Sequence, residues 1–294
     1  MLESLQYIFA PQIINGLSIG VAVILMALGL TIIFGLLDVI NMSHGEFYAA
    51  GAFLSVSLMS IGISFWWTLI LVPVLLIPFG ILMQELLIKK VFHHKDRHIL
   101  TLLLTFGVAT ILEDLYKIIW GANTAKPATP ITGASEVLGV MFPNYRLFLM
   151  VFGAALIFAV WLLIYKTAIG SIVRAATLDR DMSASLGIPV NKVYALTFAF
   201  GVVLAALSGV LLAPIYSVFP TMGKDFILMA FAVVIVGGLG SIKGAVIAGI
   251  LLTQLQSLSS LYISPVWSDP IVFGVMVLVL MFKPSGLYAG MKNG

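Results

Sequence analysis

The sequence contains no cysteine and little charge. None of its 294 residues is Cys, and only 9% are Asp, Glu, Lys or Arg. Without cysteine the chain has no disulfide framework, thiol nucleophile or Cys-ligated metal site. A soluble domain usually carries about 25% charged residues, so this chain cannot cover a water-facing surface. A net charge of +3 on so apolar a chain does not indicate a nucleic-acid partner, and none is expected.

Long stretches lack Asp, Glu, Lys, Arg and His altogether, for example 4–37 and 193–223. A membrane-spanning helix needs about 20 apolar residues, whereas barrel strands would show short alternating segments. Because these runs are continuous, the sequence predicts an all-α fold, a polytopic transmembrane helical bundle with about eight or nine segments in the lipid bilayer. The expected helices are 11–37, 45–62, 65–88, 98–119, 146–166, 193–214, 226–241, 243–260 and 269–283.

The first apolar run is expected to be a span, because it lacks a basic start and is longer than a signal-peptide core. Loops of fewer than thirty residues leave no room for a soluble domain, so residues 1–294 are expected to form a single transmembrane domain. No G-x-x-x-x-G-K-[ST] phosphate-binding loop is present, and in the nearest match, "GGLGSIKG", the Lys is out of register. If the protein uses ATP, a partner must bind it, and no cofactor is expected.

Basic residues predict the orientation, because Lys and Arg concentrate in cytoplasmic loops. The stretches 89–98 and 166–192 each carry four of the fifteen Lys and Arg residues. Placing both stretches in the cytoplasm puts most of the basic residues there, together with the C-terminus. The N-terminus lies outside if all nine segments cross.

A dense polar cluster, "NMSHGEFYAAGAF" at 41–53, separates two apolar runs. Ser43 and Glu46 fit the S-x-x-E capping box, which would begin the second helix. Asn41, His44 and Tyr48 have the spacing of one helical side, and ionisable groups at membrane depth tend to face a bundle interior or a water-filled cavity. Besides the capping role, we therefore consider all five of these polar residues as candidates for the substrate pathway or for gating: Asn41, Ser43, His44, Glu46 and Tyr48. No metal site is expected, because no second ligand lies at usable spacing from His44.

Four glycines, Gly237, Gly238, Gly240 and Gly244, lie between two short apolar runs and predict a helix break. Two interpretations remain open at this point. The break is either a tight cytoplasmic turn with close helix packing or a broken helix whose ends line the transport path. A faint similarity between "SHGEFYAAG" and "IKGAVIAG" suggests that the chain contains two structural repeats.

Glu113 and Lys117 have the i,i+4 spacing of a helical ion pair near the end of the fourth expected span. We expect an interfacial pair with Asp114 in water. A contact with the ammonium group of a substrate is the alternative.

The loop "RAATLDRDMSASLGIP", residues 174–189, predicts one short amphipathic helix. Leu178, Met182 and Leu186 repeat every four residues, and Gly187 followed by Pro189 is a helix stop signal. Such a helix either lies on the lipid surface or docks on a cytoplasmic partner. The residues alone favour neither.

Three stretches together resemble the branched-chain amino-acid ABC permeases of bacteria, in particular the shorter of the two permease types. They are "NMSHGEFYAAGAF", "AATLDRDMSASLGIPVNKVYALTFAFGVVLAALSGVLLAP" and "VVIVGGLGSIKGAVIAGILL". They occur in the family's order, and the resemblance covers nearly the whole chain. The leading Glu of the wider E-A-A-x-x-x-G importer signature is absent, and only Ala175, Ala176 and Gly187 match it.

The resemblance implies a non-enzymatic permease subunit in the bacterial inner membrane that translocates branched-chain or related amino acids. It implies a second permease subunit, identical or related, two cytoplasmic ATPase subunits and a periplasmic substrate-binding protein. The coupling loop would be about 167–192. Its candidate ATPase-coupling residues are Arg174, Asp179, Arg180, Asp181 and Gly187.

Two other classes compete with this interpretation. A secondary transporter or channel for small polar solutes would work without ATPase partners, but it needs intramembrane carboxylates for ion coupling, and the spans have few. An intramembrane enzyme would need paired catalytic groups at one depth. His44 and Glu46 are the only such pair, and they point to different helical faces.

Overall fold

The computed structural model describes residues 2–92, 94–137 and 139–288, with side chains from residue 8 onward. Eleven helices and one β-hairpin make up this part of the chain. The helices are α1 Leu2–Leu37, α2 His44–Ser60, α3 Phe65–Val91, α4 Arg97–Trp120, α5 Asn144–Lys166, α6 Ala168–Leu178, α7 Arg180–Ser185, α8 Val190–Leu212, α9 Met222–Gly237, α10 Ile242–Ser259 and α11 Pro265–Phe282, and the antiparallel strands are β1 Ala134–Val137 and β2 Val140–Pro143.

The predicted helical bundle is confirmed. Within the described residues, seven helices are long and apolar enough to cross a membrane. Two more, α2 with 17 residues and α9 with 16, are shorter. Together these nine correspond one to one with the nine expected helices. Two details differ: α1 begins at Leu2 and contains Pro11, and the β-hairpin lies in a loop for which no strand was predicted.

The centre of the bundle is an antiparallel crossing of α1 and α8, the two most buried spans. They touch at Gly29 and Gly201, where a methyl group on Gly29 would lie 2.6 Å from the Gly201 carbonyl oxygen, and one on Gly201 would lie 2.9 Å from that of Gly29. Ser208 Oγ donates a 2.7 Å hydrogen bond to the Ala22 carbonyl. Glycine is required here because the two backbones leave no room for a side chain.

The two short helices α2 and α9 begin inside the bundle, with their N-termini in contact. After α1 ends, residues 38–43 lead back beside it, so that His44 Nε2 lies 3.1 Å from the Met26 carbonyl. A methyl group on Gly223 would lie 2.8 Å from the Gly45 carbonyl oxygen, and one on Gly45 would overlap the Gly223 carbonyl. The chain therefore reverses twice within the bundle, once before each short helix.

These reversals make the fold an inverted repeat. The helices α1–α2–α3 and α8–α9–α10 follow the same succession, and α1 and α8 run in opposite directions. The third helix of each half packs on the first helix of the other half: α3 packs on α8, and α10 packs on α1. The tilted rings of Tyr48 and Phe226 pack against each other across the junction, with centroids 4.4 Å apart. The structural counterpart of α2 is α9, so the sequence similarity between α2 and α10 suggested the wrong pairing.

The bundle has two chemically different ends. We call the end that carries α6, α7 and the start of α8 the basic end, because Lys89, Arg97, Arg174 and Arg180 cluster there. We call the opposite end, which carries β1 and β2, the hairpin end.

Candidate translocation and coupling sites

The five polar residues expected to line a pathway are all buried at the start of α2: Asn41, Ser43, His44, Glu46 and Tyr48. They do not share one helical side, because α2 begins at His44 and Asn41 lies in the preceding return loop. His44 faces α1, whereas Tyr48 faces α9. The structure therefore places them around the junction of the two short helices.

The predicted capping box is wrong. Ser43 is the N-cap residue of α2 but makes no side-chain cap. Its hydroxyl donates instead to Asn41 Oδ1 at 2.7 Å, and its amide donates to the same oxygen at 3.1 Å. Asn41 thus captures the hydroxyl that the capping box would have used. The Glu46 amide is satisfied by the Ser43 backbone carbonyl at 3.0 Å.

Glu46 turns towards α9. A methyl group on Gly223 would lie 2.7 Å from Glu46 Oε1, and Oε2 has no hydrogen-bond partner among the described residues. The Glu46 carbonyl accepts a 2.7 Å hydrogen bond from the Tyr116 hydroxyl. The Glu46 carboxylate therefore lies against Gly223 at the start of α9, where the absence of a side chain leaves room for it.

The predicted Glu113–Lys117 pair is confirmed, with Lys117 Nζ 2.8 Å from Glu113 Oε1. Asp114 is exposed and also contacts Lys117, at 3.0 Å. A second lysine that was not predicted, Lys224, pairs with the other oxygen of the buried Glu113 carboxylate. The sequence did contain a signal for this pair, because Lys224 is an isolated charge directly after the long uncharged run 193–223.

The predicted glycine break is present between α9 and α10. The residues Gly238 and Gly240 adopt φ of 103° and 79°, values that favour glycine. Ser241 caps α10 by accepting a 3.1 Å bond from the Gly244 amide, and Gly237 packs directly on Gly244. The C-terminal segment adds a bond from the Leu287 amide to the Val236 carbonyl at 2.8 Å. This geometry favours the tight turn with close helix packing.

The loop at 174–187 forms two helices, so the prediction of one helix is wrong. Asp179 has extended dihedrals and ends α6. Its Oδ1 accepts a 2.9 Å bond from the Met182 amide and caps α7. A capped break at Asp179 changes the direction of the segment without interrupting the apolar repeat. Gly187 ends α7 with φ of 85°.

The two arginines of this segment face the bundle. Arg174 donates to the Ile164 carbonyl and lies over the Tyr165 ring at 5.7 Å. Arg180 lies 5.0 Å above the Phe92 ring and 5.6 Å above the Tyr194 ring. These contacts attach α6 and α7 to the ends of α3, α5 and α8.

Three apolar side chains on the same segment face away from the bundle. Leu178, Met182 and Leu186 are 66%, 63% and 74% exposed. Asp181 is also exposed beside them. Exposed apolar side chains grouped in this way at the basic end are typical of a surface that binds another protein or the membrane.

A cavity of about 640 Å³ lies between this segment and the bundle. Its walls include Asp38, Arg97, Arg180 and Asp181. Arg97 Nη2 donates to Asp38 Oδ2 at 3.0 Å and so links α4 to the end of α1. Beside this cavity the segment is held to the bundle by its two arginines and by the buried residues Ala176, Thr177 and Ser183.

A polytopic bundle of mostly apolar helices, with buried polar groups at a mid-bundle junction and exposed apolar residues at its basic end, fits an integral membrane transport protein. The family model for the branched-chain amino acid transport system permease component matches residues 12–280. The chain belongs to this family of permeases and is a multi-pass membrane protein.

Curated relatives agree with this assignment. The high-affinity branched-chain amino acid transport system permease protein LivH of Salmonella typhimurium is 30% identical over 95% of both chains. BraD of Pseudomonas aeruginosa, with the same description, is 28% identical over 96% of both chains. The ribose import permease protein RbsC of Haemophilus influenzae is 27% identical over 80% of this chain and 74% of its own length. No solved structure matches.

Proposed function

We propose that this chain is a pore-forming permease subunit of an ABC importer that translocates branched-chain amino acids across the bacterial inner membrane. A periplasmic binding protein would deliver the amino acid at the hairpin end. Two ATPases would dock on Arg174–Gly187 at the basic end, which faces the cytoplasm together with the C-terminus. A second permease subunit would complete the pore. The family and the similarity to LivH and BraD support this assignment.

The exposed stripe of Leu178, Met182 and Leu186 is the observation that carries the coupling role. A lipid-facing helix would place its apolar residues against the bilayer and basic residues around them. Here the arginines are turned inward onto aromatic rings instead. An ATPase cleft is therefore a better partner for the stripe than an anionic lipid surface.

The same contacts supply a route for mechanical coupling. Arg180 rests on Tyr194, in the first turn or two of α8. From Val190, α8 runs as one helix to its crossing with α1 at Gly201, roughly 16 Å away. A displacement of the docked segment would therefore move one of the two central helices. Alternating access would follow from a change in how the two halves of the inverted repeat pack at this crossing.

The docking role predicts a large effect of Met182→Asp. A carboxylate buried in the interface without a partner loses its hydration, so we expect at least about a tenfold loss of retained ATPase subunits. Leucine-stimulated ATP hydrolysis and uptake should fall in parallel. The measurement is co-purification of the ATPases with the permease, followed by uptake in proteoliposomes.

Met141→Asp is the matched control, because Met141 has the same 63% exposure but lies in the β-hairpin at the other end. It should leave ATPase retention unchanged. Equal retention in the wild type and Met182→Asp would contradict docking on the stripe. A wild-type permease that transports solute but brings no ATPase with it would instead indicate a secondary transporter.

A further inference from the structure

A cavity of about 300 Å³ opens near the hairpin end, between α1, α9, α10 and α11. Most of its wall is apolar and includes Ile19, Phe226 and Val272. Two carboxylates line it, Asp225 in the first turn of α9 and Asp269 near the start of α11, and both residues are exposed. The cavity thus combines an apolar wall with two negative charges.

The depth of Asp225 makes its charge significant. Its neighbour Lys224 pairs with Glu113, which lies seven residues before the end of α4 at Trp120. At 1.5 Å per residue this is roughly 10 Å below the end of that helix. A carboxylate at membrane depth faces a partner or a water-filled cavity rather than lipid. The α9–α11 side of the bundle is therefore a wet or partnered side.

The described cavity wall contains no Lys or Arg to neutralise the two carboxylates. The Asp269 carboxylate accepts a 2.6 Å hydrogen bond from Gln256, whereas the Asp225 carboxylate has no ion pair or hydrogen bond with any residue that the structure describes. A carboxylate in the first turn of a helix is favoured by the helix dipole. The helix dipole acts on each carboxylate separately, so it does not explain why Asp225 and Asp269 line the same cavity.

Tyr48 has an unpaired hydroxyl group close to this cavity. Its side chain is fully buried, and its hydroxyl has no hydrogen-bond partner among the described residues. Its ring packs at a tilt against Phe226 in the cavity wall. The hydroxyl is within electrostatic range of Tyr216 and Asp225, which also line the cavity. A buried hydroxyl normally has a partner. Tyr48 therefore places an unpaired polar group directly behind the cavity wall, within electrostatic range of Asp225.

We propose that this cavity binds the primary ammonium group of an amino acid, with Asp225 and Asp269 as its counter-charges. An ammonium group has three donors, which the two carboxylates and the Tyr216 hydroxyl can accept. The cavity holds about ten water volumes, which suits one free amino acid with residual water. The apolar wall then receives an aliphatic side chain. This assignment rests on the proposed import function and adds a site within the path.

The same ammonium chemistry could come from a phosphatidylethanolamine headgroup, so the test must separate the two sources. The assembled importer is placed in nanodiscs made of phosphatidylcholine alone or with added phosphatidylethanolamine. Binding of radiolabelled leucine is measured without the binding protein, with two competitors. Isoamylamine keeps the ammonium group and the branched chain, and isocaproate keeps the branched chain and the carboxylate but lacks the ammonium group.

Asp225→Asn and Asp269→Asn should each weaken leucine binding by about 10- to 100-fold, the usual effect of losing a charge-assisted hydrogen bond. Isoamylamine should displace leucine from the wild type and isocaproate should not. Asp225→Glu keeps the charge and should retain most of the affinity. Glu136→Gln, an equal charge change on the exposed β1 strand, should have no effect. The melting temperature of each variant checks that it is folded.

Unchanged leucine affinity in both folded Asn variants would overturn the ammonium site and leave the proposed import function standing. Leucine affinity that depends on neither carboxylate, together with phosphatidylethanolamine that co-purifies with the wild type but not with Asp225→Asn, would assign the cavity to lipid and overturn the cargo site. A wild-type importer that binds isoamylamine but neither binds nor imports leucine would overturn the proposed cargo while keeping the ammonium site.

Discussion

Gly45→Ala is expected to destabilise the permease by about 3 kcal/mol and to abolish uptake. The added methyl group would overlap the Gly223 carbonyl and lie 2.8 Å from Ile227 Cβ. These atoms belong to backbone and to a branched side chain in the first turn or two of α9, so they cannot rotate away. The start of α2 would have to separate from the start of α9, which is where the two halves of the inverted repeat meet.

The measurement is thermal unfolding of the purified permease in one detergent, together with leucine uptake by the assembled importer. Gly223→Ala should act in the same way, because its methyl group would lie 2.8 Å from the Gly45 carbonyl oxygen. The double variant should cost less than the sum of the single changes, because one separation of the helices relieves both overlaps.

Gly107→Ala is the matched control. Gly107 also lies within a span, α4, but a methyl group there meets nothing within 4 Å. Alanine favours helix by up to about 1 kcal/mol over glycine, so this variant should be as stable as the wild type or slightly more so. Equal melting temperatures for Gly45→Ala and Gly107→Ala would show that the junction is loose and that the short helices do not depend on their contact.

The lengths and apolar compositions of the segments predicted all nine helices of the bundle, because both are local properties of the chain. The depth at which α2 and α9 begin was not predictable in the same way. Residues 38–43 return into the bundle because Gly45 can approach Gly223 without a side chain between them, and these residues are far apart in sequence. The inverted repeat follows from that packing, so the local similarity between α2 and α10 indicated the wrong partner.

Two local motifs failed for a related reason. Ser43 had the spacing of a capping box, but Asn41 is closer to its hydroxyl and accepts the hydrogen bond. Leu178 and Met182 continue one apolar repeat, yet Asp179 caps a new helix between them. In both segments a neighbouring Asx side chain competes with the regular pattern. The exposed stripe was still correctly placed, because a break of the helix at Asp179 did not bury its apolar residues.

The Glu113–Lys224 contact could not be paired from sequence, although the spacing of Glu113 and Lys117 was sufficient for their pair. Lys224 reaches Glu113 only because α9 begins deep in the bundle, beside α4. The distant partner is the more important one for the fold. The Lys117 pair lies within one helix, whereas the Lys224 pair joins α4 to α9, the short helix of the second half.

Glu113→Gln is therefore expected to destabilise the permease by about 2 kcal/mol, because the charged hydrogen bonds of a buried carboxylate to two half-exposed lysines are lost. The Glu113 carboxylate is only 5% exposed, and it holds both lysines. Its loss leaves the Lys224 ammonium at membrane depth without this partner. Uptake should fall with stability, because α9 would no longer be tied to α4. Thermal unfolding and leucine uptake measure the two effects.

A second change should reverse most of this loss. In the double variant Glu113→Gln/Lys224→Gln, neither charge remains, and two amides of similar size can hydrogen-bond across the same gap between α4 and α9. Removing both partners of a buried pair usually costs far less than removing one. Asp114→Asn, an exposed carboxylate one residue along the helix, should change stability little. If Glu113→Gln were as stable as Asp114→Asn, the charge of Lys224 would already be compensated from another source, and Glu46, which turns towards α9 with one free oxygen, would be the residue to substitute next.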